Sequence, residues 1–137
     1  MAKLKLEIVT PENKVFSDDV DMVVLPGVEG QLGILPMHVP LMTQLLPGEL
    51  RIVQAGKERE FVVGNGFVEV SQTEVSILTD MAAGESEIDE HATEEAIKRA
   101  KADLASKDLS SEELAETEAA LARSLAALRF KRRRRHG

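Results

Sequence analysis

The chain changes texture once, sharply, near Thr79. Up to that point short β-like runs alternate with Gly, Pro or Asn. Beyond it Ala, Glu, Lys and Leu dominate, and no Gly or Pro occurs between Glu85 and the final residue. Helix breakers spaced every few residues and a long stretch without any cannot belong to one repeating architecture. The pattern predicts an α+β chain: an N-terminal antiparallel β-sandwich or barrel over 1–84, then a C-terminal two-helix antiparallel hairpin with a basic tail over 85–137.

In the first part LKLEIV, VFSDDV, VVLPG, LGILP, ELRIV, EREFVV, GFVEV and EVSILT read as strands at the close spacing of a sandwich or barrel. Leu4, Leu6 and Ile8, then Phe67, Val68 and Val70, then Val75 and Ile77 supply an inward face, while Lys5, Glu7, Glu69 and Glu74 face water. Pro47-Gly48, Ala55-Gly56 and Gly64-Asn65-Gly66 carry the fixed or positive φ values of tight reversals.

In the second part Asp89 is placed to cap a helix running to about Ser106, with Ile97, Ala100 and Leu104 on one stripe. Ser110 with Glu113 spells a capping box that opens a second helix through about Phe130. There Leu114, Leu121, Leu125 and Leu128 share a face, broadened by Ala115, Ala119, Ala122 and Ala126. Residues 106–111 form the turn of the hairpin. Such stripes bury themselves in each other or in a partner.

Charge is divided along the same axis. Of 17 Lys and Arg, six lie at Arg129, Lys131 and Arg132 to Arg135, so residues 1–128 hold 11 cations against 24 carboxylates. An acidic body carries a basic tip. The tip could neutralise phosphate on nucleic acid or lipid, or pair with carboxylates on a protein, and charge alone does not choose. Continuity of the helical pattern into Arg129 favours a docking role over a solvated tail.

Chemistry is sparse. The chain has no Cys, which removes disulfides, thiolate metal sites and cysteine nucleophiles. His38, His91 and His136 are far apart, so no metal site is expected. Four Phe with neither Trp nor Tyr leave few platforms for stacking bases. No apolar run approaches the ~20 residues of a membrane span, and MAKLKLEIV lacks a signal-peptide core, so a cytoplasmic protein is expected. Gly27, Gly30 and Gly33 in PGVEGQLGILP do not match a phosphate-binding fingerprint and are read as shaping reversals. His38, between Pro36 and Pro40, belongs to an ordered loop, its imidazole either bonded to nearby backbone or making a surface contact. No nucleophile is paired with a base, and an autonomous enzyme is not expected.

The segment EGQLGILPMHVPL, with TPE at 10–12, GELRIV at 48–53, GNGFVEV at 64–70 and AALARSLAALRF at 119–130, resembles the ε subunit of the bacterial F-type ATP synthase. The likeness runs in unbroken order from about Leu4 to Phe130, and a sandwich followed by two helices is that family's architecture. The resemblance implies a noncatalytic rotor component. Its sandwich would bind the γ subunit and the membrane c-ring, with Glu29, Gln31 and His38 at positions of the ring-facing loop. Where relatives often carry Glu, Gln31 would exchange a charge contact for a neutral hydrogen bond.

The resemblance also implies a hairpin that either lies on the sandwich or extends along γ into the α and β subunits of the catalytic head, where it blocks ATP hydrolysis. In that state Arg123, Arg129, Arg132, Arg133, Arg134 and Arg135 would pair with an acidic segment of the β subunit. Some relatives bind ATP on the folded hairpin through an (Ile/Leu)-Asp-x-x-Arg-Ala motif. Here the run is Ile88-Asp89-Glu90-His91-Ala92-Thr93, which keeps the Asp and lacks the Arg. Asp89, Arg99 and Arg123 remain as residues that could meet a nucleotide, and weak or absent ATP binding is expected, with no other cofactor. The location implied is peripheral, on the cytoplasmic face of the bacterial plasma membrane, reached only through the complex and with no nucleic-acid partner. The competing expectation from composition is a nucleic-acid-binding module whose salt-sensitive retention requires Arg132 to Arg135.

Overall fold

The computed structural model describes residues 3–106 and 108–136, and the side chains of Ser106, Arg135 and His136 lie outside that description. Ten strands come first: β1 (Leu4–Val9), β2 (Lys14–Val20), β3 (Met22–Gly27), β4 (Gly30–Ile34), β5 (Leu41–Leu45), β6 (Gly48–Gln54), β7 (Lys57–Val63), β8 (Gly66–Val70), β9 (Glu74–Thr79) and β10 (Ala82–Ala83). A 3-10 turn at Glu85–Glu87 leads into α1 (Glu90–Ser106) and α2 (Ser111–His136). The architecture is the expected sandwich followed by a helical hairpin.

The strands form one curled sheet in the order β10-β7-β6-β3-β5-β8-β9-β1-β2, with β4 paired to β3. The far end, β2, curls back against β6, so the two halves of the sheet face each other across a shared core. All ladders are antiparallel except β1 with β9, where Lys5 lies opposite Glu74 and Val9 opposite Leu78. There β1 lies between its hairpin partner β2 and the distant β9, a parallel contact that the long connection from β1 to β9 allows.

Alternation places Leu4, Leu6 and Ile8 of β1 and Val75 and Ile77 of β9 in a fully buried core, together with Val68 of β8. Phe67 departs from expectation. It precedes Val68, so the period of two turns it outward, and it is 61% exposed. Two strands escape the sequence pattern. In β5 only Leu45 is fully buried, and Met42 and Gln44 point out. β10 is two residues long and pairs with Val62 and Val63 of β7. Gly33, expected at a reversal, lies within β4 opposite Val24. The reversal belongs to Gly27 and Gly30, and Gly30 takes φ +108. Ala55 and Gly56, at φ 53 and 80, close the two-residue β6–β7 turn.

Both helix starts are built as the sequence indicates. The Asp89 carboxylate accepts from the Ala92 N–H at 3.0 Å. Glu113 N–H donates to Ser110 Oγ at 3.1 Å, and Ser110 N–H donates to Glu113 Oε1 at 3.0 Å. α2 then continues past Phe130 to His136, carrying the basic run on a helix. Of the expected leucine face, Leu114 is exposed while Leu121, Leu125 and Leu128 are half-buried. The deepest contacts of α2 are instead Ala126, Ala127 and the fully buried Phe130, which form a second apolar cluster with Val62 and Ile88. Small Ala side chains let the helix approach the sheet closely, and one Phe fills the remaining space.

Two outcomes follow. Phe130→Ala removes the largest buried side chain of the second cluster and should weaken hairpin docking by about 3–5 kcal/mol; hydrogen exchange should show α2 deprotected while β8 and β9 stay protected. The Ser110 N–H, then its hydroxyl, holds the Glu113 carboxyl below the ordinary glutamate value. That contribution is present above the unfolded value and is lost as pH falls through the lowered folded one. A carboxyl titration by NMR should place Glu113 below the free glutamate range, and Ser110→Ala should raise it.

Candidate functional site

The outer faces of the two halves of the sheet are unlike. On one, ladder register aligns Gln44 of β5 with Phe67 of β8, Phe67 with Leu78 of β9, and Leu78 with Val9 of β1. Direct opposition puts all four side chains on one face, and alternation shows it to be the outer one. Phe67 and Leu78 are about three-fifths exposed, and Met42 in the next row is 69% exposed. A groove of about 480 Å³ adjoins this row, lined by residues that include Val9, Pro11, Leu78 and Thr79. Large apolar side chains aligned on a sheet and left in water mark a candidate binding surface. Sequence alone does not reveal this row, because Phe67 sits beside Val68 in an apolar run and β5 has a single fully buried residue.

The positions implied for ring contact flank this face. Glu29 and Gln31 are exposed at the β3–β4 turn, where Gly27 lies opposite Leu45 at one end of β5. His38 sits in the loop before Leu41, at the other end. There the Met37 N–H donates to Gln72 O at 2.8 Å, and His38 Nδ1 lies 2.7 Å from Val39 O. Register therefore separates His38 from Glu29 and Gln31 by the length of a strand. Each end adds exposed apolar residues: Val28 at the turn, and Leu35, Met37 and Val39 in the loop.

The opposite outer face, on β6 and β7, is covered by α2. Arg123, Ala126, Ala127, Phe130, Arg133 and Arg134 recur at the spacing of one helical stripe. Its apolar middle packs on Val62, and its charged ends reach carboxylates. Arg123 Nη1 donates to Asp80 Oδ2 at 2.8 Å. Arg133 donates through Nε to Glu49 Oε2 at 3.1 Å and through Nη2 to Glu49 Oε1 and, at 2.6 Å, to Glu60 Oε2. Arg134 Nη1 donates to Glu60 Oε1 at 2.6 Å. The hydrogen-bonded Glu49 carboxylate raises the Arg133 guanidinium further above its already high pKa. Arg132 turns instead to α1, meeting Glu94 at 2.9 Å and Glu90 at 3.4 Å. Lys131 pairs with Glu85 at 3.3 Å. Arg129 is exposed on α2, and the Arg135 side chain lies outside the described residues.

Asp89 and Arg123 line one cavity of about 320 Å³ between the start of α1 and α2, with Ala92, Thr93 and Ser124. Arg99 is not among its lining residues and is exposed on α1. The Asp89 carboxylate is occupied as a helix cap, and the Arg123 guanidinium is directed to Asp80. With Ala92 in the wall, no forked donor of the first helix points into this space.

A family model described as the β-sandwich domain of the ATP synthase delta/epsilon chain matches residues 3–85. A protein of Dehalococcoides mccartyi strain BAV1 named ATP synthase epsilon chain is 48% identical over 98% of this chain and 96% of its own length. The chain belongs to the ATP synthase epsilon-chain family. An epsilon chain of Herpetosiphon aurantiacus is 46% identical over 97% of both chains. Among solved structures, a chain in the Euglena gracilis mitochondrial ATP synthase, from a complex titled OSCP/F1/c-ring in rotational state 1, superimposes with a TM-score of 0.73. It is 26% identical, over 92% of this chain and 79% of that one. As an epsilon chain the protein is a structural, noncatalytic subunit of the central stalk. No helix among the described residues is long and apolar enough to cross a membrane.

Gly64 permits the Asp80–Arg123 contact. A Cβ there would lie 1.9 Å from Asp80 Oδ1 and 3.2 Å from Arg123 Cγ. Gly64→Ala should displace Asp80 and cost about 1–3 kcal/mol in urea unfolding. The double variant with Asp80→Asn should lose less than the sum of the two single losses.

Proposed function

We propose that the sandwich binds the γ subunit through the apolar face of Phe67, Leu78 and Met42, and meets the c-ring and γ through the segments holding Glu29, Gln31 and His38. The observation that carries this is the asymmetry of the two outer faces: one is sheathed by the chain's own hairpin, while the other is uncovered in this chain and holds exposed Phe67, Leu78 and Met42 among polar neighbours such as Gln44 and Glu69. A subunit fixed by one face and regulated from the other can transmit c-ring rotation to the catalytic head of a proton- or sodium-translocating synthase. The bacterial relatives support a peripheral place on the cytoplasmic face of the plasma membrane, reached through the complex.

In this reading the hairpin is the brake on hydrolysis. Released from the sandwich, α2 would carry Arg123, Arg129 and Arg132 to Arg135 to acidic surface of the catalytic β subunit, within the α and β head. The parked state is supported by small-residue packing and partly exposed ion pairs, so a second state within a few kcal/mol is reasonable. Nucleotide has a minor part: Asp89 caps α1, Arg123 holds Asp80, and Arg99 stands apart from the cavity. ATP binding to the isolated chain is weak or absent.

Phe67→Glu with Leu78→Glu should abolish copurification with γ while the circular dichroism spectrum is kept; retained assembly would reject the apolar face as the γ contact. Truncation after Phe130 keeps the apolar seat and removes the basic run. It should raise ATP hydrolysis by the assembled complex, and an unchanged rate would take the basic run out of the brake. Calorimetry with ATP should show no heat of binding at micromolar concentrations.

A further inference from the structure

The basic end of α2 is attached to two sets of carboxylates with different roles. Arg132 holds α1 through Glu90 and Glu94, which fastens the hairpin to itself. Arg133 and Arg134 hold the sandwich through Glu49 and Glu60, which fastens the hairpin to the sheet. Of these two sets only the second must break for the hairpin to leave as a unit, along with the Arg123–Asp80 pair at the other end of the stripe.

The sandwich half of this contact is set by register. Glu49 lies opposite Val62, and Glu60 lies two residues before Val62 on the same strand. The two carboxylates are thus diagonal neighbours on the outer face that carries Val62, close enough to repel each other. The Arg133 fork bonds to both and Arg134 adds a second bond to Glu60, so two cations offset two anions. Glu60 is only 17% exposed under α2. Arg51, the cross-strand partner of Glu60, is turned instead toward Glu58 at 3.7 Å.

We propose that Glu49 and Glu60 form an electrostatic latch that holds the Arg133–Arg134 end of α2 on the sandwich and keeps those cations from any partner until carboxylates elsewhere, or salt, displace them. The inference deepens the brake described above and rests on it for its purpose, although the latch itself is a property of the free chain. Opening becomes an exchange of acidic partners for the same arginines. The apolar seat of Phe130 contributes a part that salt does not weaken.

Hydrogen exchange on the full-length chain separates the two parts. In Glu49→Gln/Glu60→Gln, amides of residues 120–134 should exchange about threefold to tenfold faster than in the natural chain at about 0.05 M salt. The natural chain should approach the variant as salt rises to about 1 M. Arg133→Gln/Arg134→Gln should have the same effect, and combining all four changes should add little. Unaltered protection of β8 and β9 reports an intact sandwich. If a glutamate variant loses that protection, the arginine variant reads the same contact from the helix side. Equal exchange in natural chain and arginine variant, or indifference of the natural chain to salt, would overturn the latch. Faster exchange alongside unchanged hydrolysis by the complex would keep the latch and reject the brake.

Discussion

The parked hairpin depends on the ladder between β6 and β7. That register puts Val62 on the outer face with Glu49 and Glu60 beside it, and the stripe of α2 repeats the order with Phe130 beside Arg133 and Arg134. Apolar meets apolar and charge meets charge because two periods, two residues in a strand and 3.6 in a helix, are brought into alignment. A shift of one residue in either ladder strand would turn its part of this surface into the core.

From that alignment comes the division of labour between the two outer faces. The face under α2 is partly acidic and needs a cationic cover, which the same chain supplies. The face of Phe67, Leu78 and Met42 receives none from its own chain and offers a partner a set of exposed apolar side chains. On the proposed reading the shaft contact and the hairpin seat fall on separate surfaces, so that a change at one need not disturb the other.

Much of this was legible in the sequence. Alternation in Leu4, Leu6 and Ile8, the Ala55-Gly56 turn, the Asp89 cap and the Ser110–Glu113 capping box each rest on a local rule, and local rules decide them. What escaped depends on non-local partners. Phe67 next to Val68 in an apolar run could not be oriented without a register, and β5 has too few buried positions to stand out. On α2 the leucines make the more obvious stripe because they are large. The stripe that meets the sheet is Arg123, Ala126, Ala127, Phe130, Arg133 and Arg134, whose spacing was visible but whose charged ends obscured it. Glu49 and Glu60 are ordinary surface glutamates until α2 is laid across them.

The central claim is that this hairpin occupies a seat it can leave. Because the chain contains no cysteine, spin labels at Lys57→Cys, in the β6–β7 hairpin, and Glu118→Cys, on the exposed side of α2, add one pair to it. Pulsed-resonance distances between them in the assembled synthase should divide into two populations, a short one for the docked hairpin and a long one that grows when Glu49 and Glu60 are replaced by Gln. A single short distance under every condition would contradict the moving hairpin.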